Sequence, residues 1–245
     1  MQGLILAAGF GKRLQPLTLT VPKSLIEVNG TPLLINSLNH LSERNITEVL
    51  IVIGDKRDII VDRIGHHYKG MKITYIENPL YEKTNNVYSF WLAKNYIHDD
   101  IIMLECDLFY NRPLIDITLN GQADCNILVS KFDEQSMDGT VIEIKPDESV
   151  KSLIIKRDQS SGFNYSDKFK TVNVYFFKKN FIVNQFMPAI ETYINTQSVN
   201  SYYELVLGSL IYFGNCDIKA VKIDQSQWCE IDDIHDLKRA ESKFS

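Results

Sequence analysis

The chain has 245 residues, 44% of them hydrophobic, and a formal net charge of -5. That length supports a sizeable core in one large domain or two small ones, and the acidic balance argues against a general nucleic-acid-binding surface. The four cysteines, at 106, 125, 216 and 229, form no C-x-x-C pair, so reduced thiols of a cytoplasmic protein are expected rather than a zinc site. The chain enters an apolar run without a basic leader or cleavage site, and no run reaches the ~20 residues of a membrane helix, so neither a signal peptide nor a membrane partner is expected.

In chain order, residues 3–7 read as a buried strand and 33–41 as a helix, with apolar residues at 33, 34, 38 and 41. A strand at 49–53 precedes helical spacing over 55–68, which would put His66 and His67 on a helix surface. A strand at 73–76, a helix at 87–96 and a strand at 101–104 follow. Strand and helix in turn imply right-handed βαβ units and a mostly parallel sheet with helices on both faces, binding ligands beyond its strands' carboxyl ends. The second half changes character. Strands are expected at 125–132, 140–144, 150–156 and 170–177, with turn-rich stretches between them. Helices near 180–195 and 201–213, a strand at 218–223 and a closing helix at 234–243 complete the chain. The reading is one α/β domain, 1–245, whose second half (111–245) adds antiparallel strands around the site begun by the first (1–110).

The first strand runs into "LILAAGFGKRLQPLTLTVPKSL" (4–25). A dinucleotide fingerprint from Gly9 would need glycine where Leu14 stands, and a P-loop would need glycine and Ser or Thr where Leu6 and Arg13 stand. What remains is a glycine turn whose backbone N–H groups can cradle anionic oxygens, with Lys12 and Arg13 to neutralise them. Pro22 restrains the backbone before Lys23, which can reach the same anion. A tight turn with solvated basic residues is the bland alternative; three basic residues after a buried strand in an acidic chain favour function.

These residues closely resemble L-x-A-G-x-G-x-R-[LM]-x-P-x-T followed by P-K, the signature of nucleotidyltransferases that make nucleoside-diphosphate sugars and CDP-alcohols. The resemblance implies a Rossmann-like nucleotidyltransferase fold. It implies that the loop Leu6, Ala7, Ala8, Gly9, Gly11, Lys12 and Arg13 holds the nucleotide, and that Lys23 and Arg13 act on its α-phosphate. Two acidic motifs, "ECD" (105–107) and "WCEIDD" (228–233), offer oxygen ligands for the Mg²⁺ a triphosphate needs. Family resemblance favours Asp107 and Asp232, with Glu230 a further candidate because alternate strand residues share a face. Asp233 fits a helix cap. The chemistry implied is in-line attack of an acceptor oxyanion on an α-phosphate, with loss of pyrophosphate and no general base.

"TNNVYS" (84–89) is similar to segments of phosphocholine and phosphonate cytidylyltransferases, which implies CTP and places Asn85 and Asn86 near the nucleotide, although Asn is also a common helix cap. Sugar enzymes carry an acceptor-binding lysine where Lys156 ends the strand read at 150–156. "KTVNVYFF" (170–177) resembles the corresponding strand of the phosphonate group, which implies that Asn173 faces the site, with Lys170 a further option. Asp138 and Glu204 would suit a primary ammonium, whereas Tyr203 would suit a quaternary one or simply pack in the core. The acceptor expected is 2-aminoethylphosphonate. The alternatives are phosphocholine, a sugar 1-phosphate, or nucleotide binding without turnover; oligomeric state is left open.

Overall fold

The computed structural model of the chain describes residues 1–111, 113–214 and 216–245. Four strands, β1 (Gln2–Ala7), β2 (Glu48–Ile53), β3 (Met71–Glu77) and β4 (Ile101–Glu105), run parallel in the order β4–β1–β2–β3. Their near-continuous apolar runs reflect burial on both faces. Leu4, Leu6, Leu50, Val52 and Met103 point to one side, and Ile5, Ala7, Val49, Ile51 and Leu104 to the other. Helices α1 (Leu33–Ser42) and α2 (Arg57–Ile64) cover the second side through Leu34, Leu38, Leu41, Ile60 and Ile64. Helix α3 (Asn86–Leu92) covers the first through Val87 and Phe90.

The helical spacing over 55–68 is half right. Gly65 ends α2 with φ 73°, and His67–Tyr68 then pairs antiparallel with the start of β3, so His67 is an exposed strand residue and neither histidine lies on a helix. The helix expected over 87–96 ends at Leu92 and continues as a 3-10 turn, Ala93–Asn95.

After α4 (Pro113–Leu119), the second half supplies β5 (Cys125–Lys131), β6 (Val141–Ile144), β7 (Val150–Ile154), β8 (Phe169–Phe177) and β9 (Ile218–Ile223). Strand β8 joins the halves: it pairs antiparallel with β5 along one edge and, along the other, with β6 at Phe169 and Lys170 and with β4 at residues 174–177, while β6 and β7 form a hairpin. Helices α5 (Met187–Thr196) and α6 (Tyr203–Phe213) bury Ile190, Tyr203, Val206 and Leu207 on the same face as α3. The result is mixed α/β: a mostly parallel central sheet with helices on both faces and added antiparallel strands.

One small feature positions the site. Leu108–Tyr110 and Trp228–Glu230 pair as a two-stranded antiparallel ribbon. Cys229 and Ile231 pack there with Leu14 and with Leu237 of the closing helix α7 (Ile234–Lys243). The opening loop, the end of β4 and the C-terminal acidic segment are thereby packed together. No described helix is long and apolar enough to cross a membrane.

Candidate active site

The loop after β1 is shaped by two glycines for different reasons. Gly11 sits at φ 62°, and a Cβ there would lie 2.9 Å from the Lys23 Cβ and 3.0 Å from the Thr18 Cγ2. A Cβ at Gly9 would meet no protein atom within 4 Å, so it would intrude on open space at the cleft. The Thr18 hydroxyl donates to the Gly11 carbonyl at 2.8 Å and pins the turn. Lys12 and Arg13 follow in a 3-10 turn with exposed side chains.

Lys23 opens a second 3-10 turn after Pro22, and its side chain is buried. Its Nζ donates to Asp107 Oδ2 at 2.9 Å and to Asp232 Oδ1 at 2.8 Å; Arg13 reaches the same Asp232 oxygen at 2.9 Å. Burial opposes the charge on Lys23, but Asp107 and Asp232 outweigh it and raise its pKa above the ordinary lysine range. Burial likewise pushes Asp232 up, yet Lys23 and Arg13 hold it below the ordinary aspartate value. The ribbon makes this convergence: the Ile231 N–H donates to the Asp107 carbonyl at 2.8 Å, which sets Asp232 beside Asp107.

Two carboxylates on one ammonium are also a donor set for a hard divalent cation. Asp107 Oδ1 is buried and has no hydrogen-bond partner among the described residues, so it retains a free oxygen for a ligand. No group of three or more His, Cys, Asp or Glu placed to hold a metal occurs among the described residues. The pair therefore fits Mg²⁺, which takes one or two carboxylates and completes its shell from water and phosphates, better than a metal needing an all-protein cage.

These groups border a cleft of about 670 Å³ at the carboxyl ends of β1 and β4. Of the residues singled out from sequence, Leu6, Ala8, Gly9, Gly11, Lys12, Arg13, Lys23, Asn85, Asn86, Asp107, Asp138, Lys156, Asn173, Glu204, Glu230 and Asp232 line it. Ala7 does not. Strand alternation turns its methyl to the opposite face, among Ile5, Leu34 and Ile53.

Several roles need correction. Asn85 is the N-cap of α3, its Oδ1 accepting the Asn86 N–H at 2.8 Å. Asn86 bridges, its Nδ2 donating to Glu105 at 3.0 Å and its Oδ1 accepting the Tyr203 N–H at 3.0 Å. Tyr203 is a core residue, fully buried against Phe90 and Tyr175, with its hydroxyl donating to Glu105 at 2.9 Å, so it forms no wall of an aromatic cage. Glu230 ends the ribbon strand and Asp232 lies beyond it. Instead of presenting a free pair of oxygens to a metal, Glu230 meets Lys170 Nζ at 3.1 Å and Asn173 Nδ2 at 2.8 Å. Asn173 reaches it from an irregularity in β8, where φ is 60° and the register to β5 shifts. Lys156 lies in a 3-10 turn past the end of β7, exposed and 2.7 Å from the equally exposed Asp138. Asp138 is thus not a buried carboxylate. Asp233 caps α7 with a reciprocal bond to Asp236.

The floor of the cleft is acidic. Burial raises the carboxyls of Glu105 and Glu204, and that of Glu230 to about 7; among the nearby groups Asp107 adds to the rise of Glu105 and Glu230, while Lys170 opposes that of Glu204 and Glu230. Glu105, Asn78, Tyr81 and Thr140 also line the cleft; they were not singled out from sequence, although Asn78 and Tyr81 lie in the segment that runs into "TNNVYS" and Glu105 opens "ECD". Only the "ECD" context of Glu105, one residue past apolar "IIML", marked a strand end where a ligand could lie.

Fold and cleft together define a Rossmann-like α/β protein with its cleft at the parallel strand ends. A family model described as nucleotidyl transferase matches residues 2–231, and the chain belongs to that family. Among curated relatives, CMP-5'-(3-aminopropyl)phosphonate synthase of Streptomyces rubellomurinus is 29% identical over 245 residues, covering 100% of this chain and 39% of the relative. This chain thus spans about two fifths of that relative's length. The CTP:phosphoglutamine cytidylyltransferase of Campylobacter jejuni is 26% identical, with 97% of this chain and 98% of the relative covered. Among solved structures, the CTP:phosphocholine cytidylyltransferase of Streptococcus pneumoniae superposes with a TM-score of 0.79 at 20% identity, covering 100% of this chain and 99% of that one.

Proposed function

We propose that the protein transfers CMP from CTP to the oxyanion of a small phosphonate, 2-aminoethylphosphonate first among them, releasing pyrophosphate in a Mg²⁺-dependent reaction. The observation that carries the reading is the Lys23 ammonium, fixed between Asp107 and Asp232 beside the glycine loop. The choice of CTP and of a phosphonate is supported by relatives whose names carry CMP or CTP and, in one case, an aminoalkylphosphonate.

In this reading a phosphonate oxygen forms a bond to the α-phosphorus while the bond from that phosphorus to the bridging oxygen of the β-phosphate breaks. Pyrophosphate leaves as an anion, so no proton need be removed from the nucleophile. Catalysis rests on positioning and charge. The loop amides and Lys12 hold the triphosphate, and Lys23 and Arg13 neutralise the α-phosphate oxygens. Asn85 and Asn86 shape the nucleotide side, while Lys156 and Asn173 border the acceptor side. Asp107 and Asp232 are the residues that would hold Mg²⁺, which when bound supplies further charge neutralisation on the phosphates.

Pyrophosphate release measured over four nucleoside triphosphates against 2-aminoethylphosphonate, phosphocholine and glucose 1-phosphate tests the reading. CTP with the phosphonate is expected to give the highest kcat/KM. Turnover confined to a sugar 1-phosphate, or no turnover with any pair, would refute it.

A further inference from the structure

The cleft is electrically polarised along its depth. Exposed cations, Lys12, Arg13 and Lys156, stand at its mouth. Three carboxylates, Glu105, Glu204 and Glu230, line its floor against one fully buried ammonium, Lys170. Lys170 is committed elsewhere: its Nζ contacts Glu230 at 3.1 Å and donates to the Thr171 carbonyl at 2.9 Å. Glu105 receives neutral donors from Asn86 and Tyr203 on one oxygen. Glu204 is 4% exposed and is held by its own backbone N–H and by the Asn86 and Thr140 side chains, yet its Oε2 has no hydrogen-bond partner among the described residues. A buried carboxylate oxygen left without a donor is costly unless a ligand supplies one.

Resting on the acceptor reading above, we propose that Glu204, with Glu105 beside it, is the subsite for a primary ammonium at the far end of the acceptor. A zwitterion matches the polarity: its phosphonate lies toward the cations of the mouth and its ammonium toward the acidic floor. The orphaned oxygen needs an N–H donor, which a primary ammonium carries and a trimethylammonium lacks. A quaternary group would be held by aromatic faces; the Tyr203 and Tyr175 rings are fully buried in the core, while Phe10 and Tyr81, packed on each other, and the exposed Tyr202 are the rings that line the cleft. Specificity therefore sits in α6 and at the end of β4, not at Asp138, which is exposed and paired with Lys156.

The test compares 2-aminoethylphosphonate with propylphosphonate, in which a methyl replaces the ammonium, as acceptors with CTP. Sites that hydrogen-bond a substrate group reject analogues lacking it by up to ~10⁴-fold, and this floor is expected to give the wild type a preference of at least about 100-fold in kcat/KM. Glu204→Gln should cut the preference to below about tenfold, Glu105→Gln should cut it less, and Asp138→Asn should leave the ratio in place. The KM for CTP reports whether the cleft of each variant is intact. Equal use of both phosphonates by the wild type, or a full preference in Glu204→Gln, overturns the subsite while leaving the cytidylyltransferase reading standing. Should Glu204→Gln fail to fold, the wild-type ratio decides. If neither phosphonate reacts but a sugar 1-phosphate does, both readings fall.

Discussion

Lys23 is held by two carboxylates while almost wholly removed from water. Its raised pKa keeps it charged at ordinary pH, so in the proposed reaction its effect on an α-phosphate would not be titrated away. Interactions that strengthen only as charge redistributes act on kcat. Lys23→Ala is expected to lower kcat by at least about 10²-fold, the scale of losing one preorganised donor, and to raise the KM for CTP by less. Steady-state kinetics at varied CTP separates the two, and a pure KM effect would make Lys23 a ground-state binder. The carboxylates divide by their partners. Asp107→Asn should raise the Mg²⁺ concentration for half-maximal activity at least about tenfold, the scale of damage at a metal site. Glu230→Gln, which disturbs a residue already held by Lys170 and Asn173, should move it less. A Mg²⁺ titration of both variants that gives equal shifts would return Glu230 to the metal site.

At the scale of elements, what could be read in advance followed how much periodicity each segment carries. Strands β1, β2 and β4 and the closing helix α7 were legible because five or more residues repeat an apolar pattern over their length. The ribbon of Leu108–Tyr110 with Trp228–Glu230 was not, since three-residue strands carry no pattern and pair with a segment distant in the chain. Lys156 was placed on a strand because "VKSLIIK" continues the apolar run past Ile154, where the pairing with β6 stops. Asp138 and Lys156 fell in the right cleft but in the wrong setting, because exposure and pairing belong to tertiary structure. Two elements carry predictions of their own. The Asp233–Asp236 capping box begins α7 just after Asp232, so Asp233→Ala should cost about 1 kcal/mol and lower the Tm by a few degrees in a thermal melt. On the β6–β7 hairpin, hydrogen bonds from Lys168 and Lys151 hold the Glu143 carboxyl down at about 2. Its stabilisation is then present in full above the ordinary glutamate value near 4.5 and is lost as pH falls toward about 2. The Tm difference between wild type and Glu143→Gln should therefore shrink between pH 5 and pH 2.5. A constant difference would show that the ion pairs add nothing to the folded state.

For the molecule as a whole, one sheet carries both halves of the site. Strand β8 ties the acceptor side to β4, and α7 with the ribbon ties the C-terminal acids to the opening loop. The apolar core follows the same rule: residues of β1 and β4 pack in one cluster with those of β5, β6 and α6. The side of the cleft expected to hold the nucleotide is formed by one continuous loop and the residues just past β4, a grouping that local sequence displays. The other side of the cleft draws single residues from β8, α6, the segment before β6 and the turn after β7, and no local spacing announces such a set. The central claim is that this cleft joins CTP to an aminoalkylphosphonate through a new phosphorus–oxygen–phosphorus bond. Phosphorus NMR of the protein with CTP, Mg²⁺ and 2-aminoethylphosphonate tests it most directly. The account predicts one new phosphonate resonance coupled to an α-phosphate and an equal amount of pyrophosphate, both appearing at least about 10²-fold more slowly in Lys23→Ala; an unchanged phosphonate signal beside consumed CTP, or no consumption of CTP at all by the wild type, would contradict it.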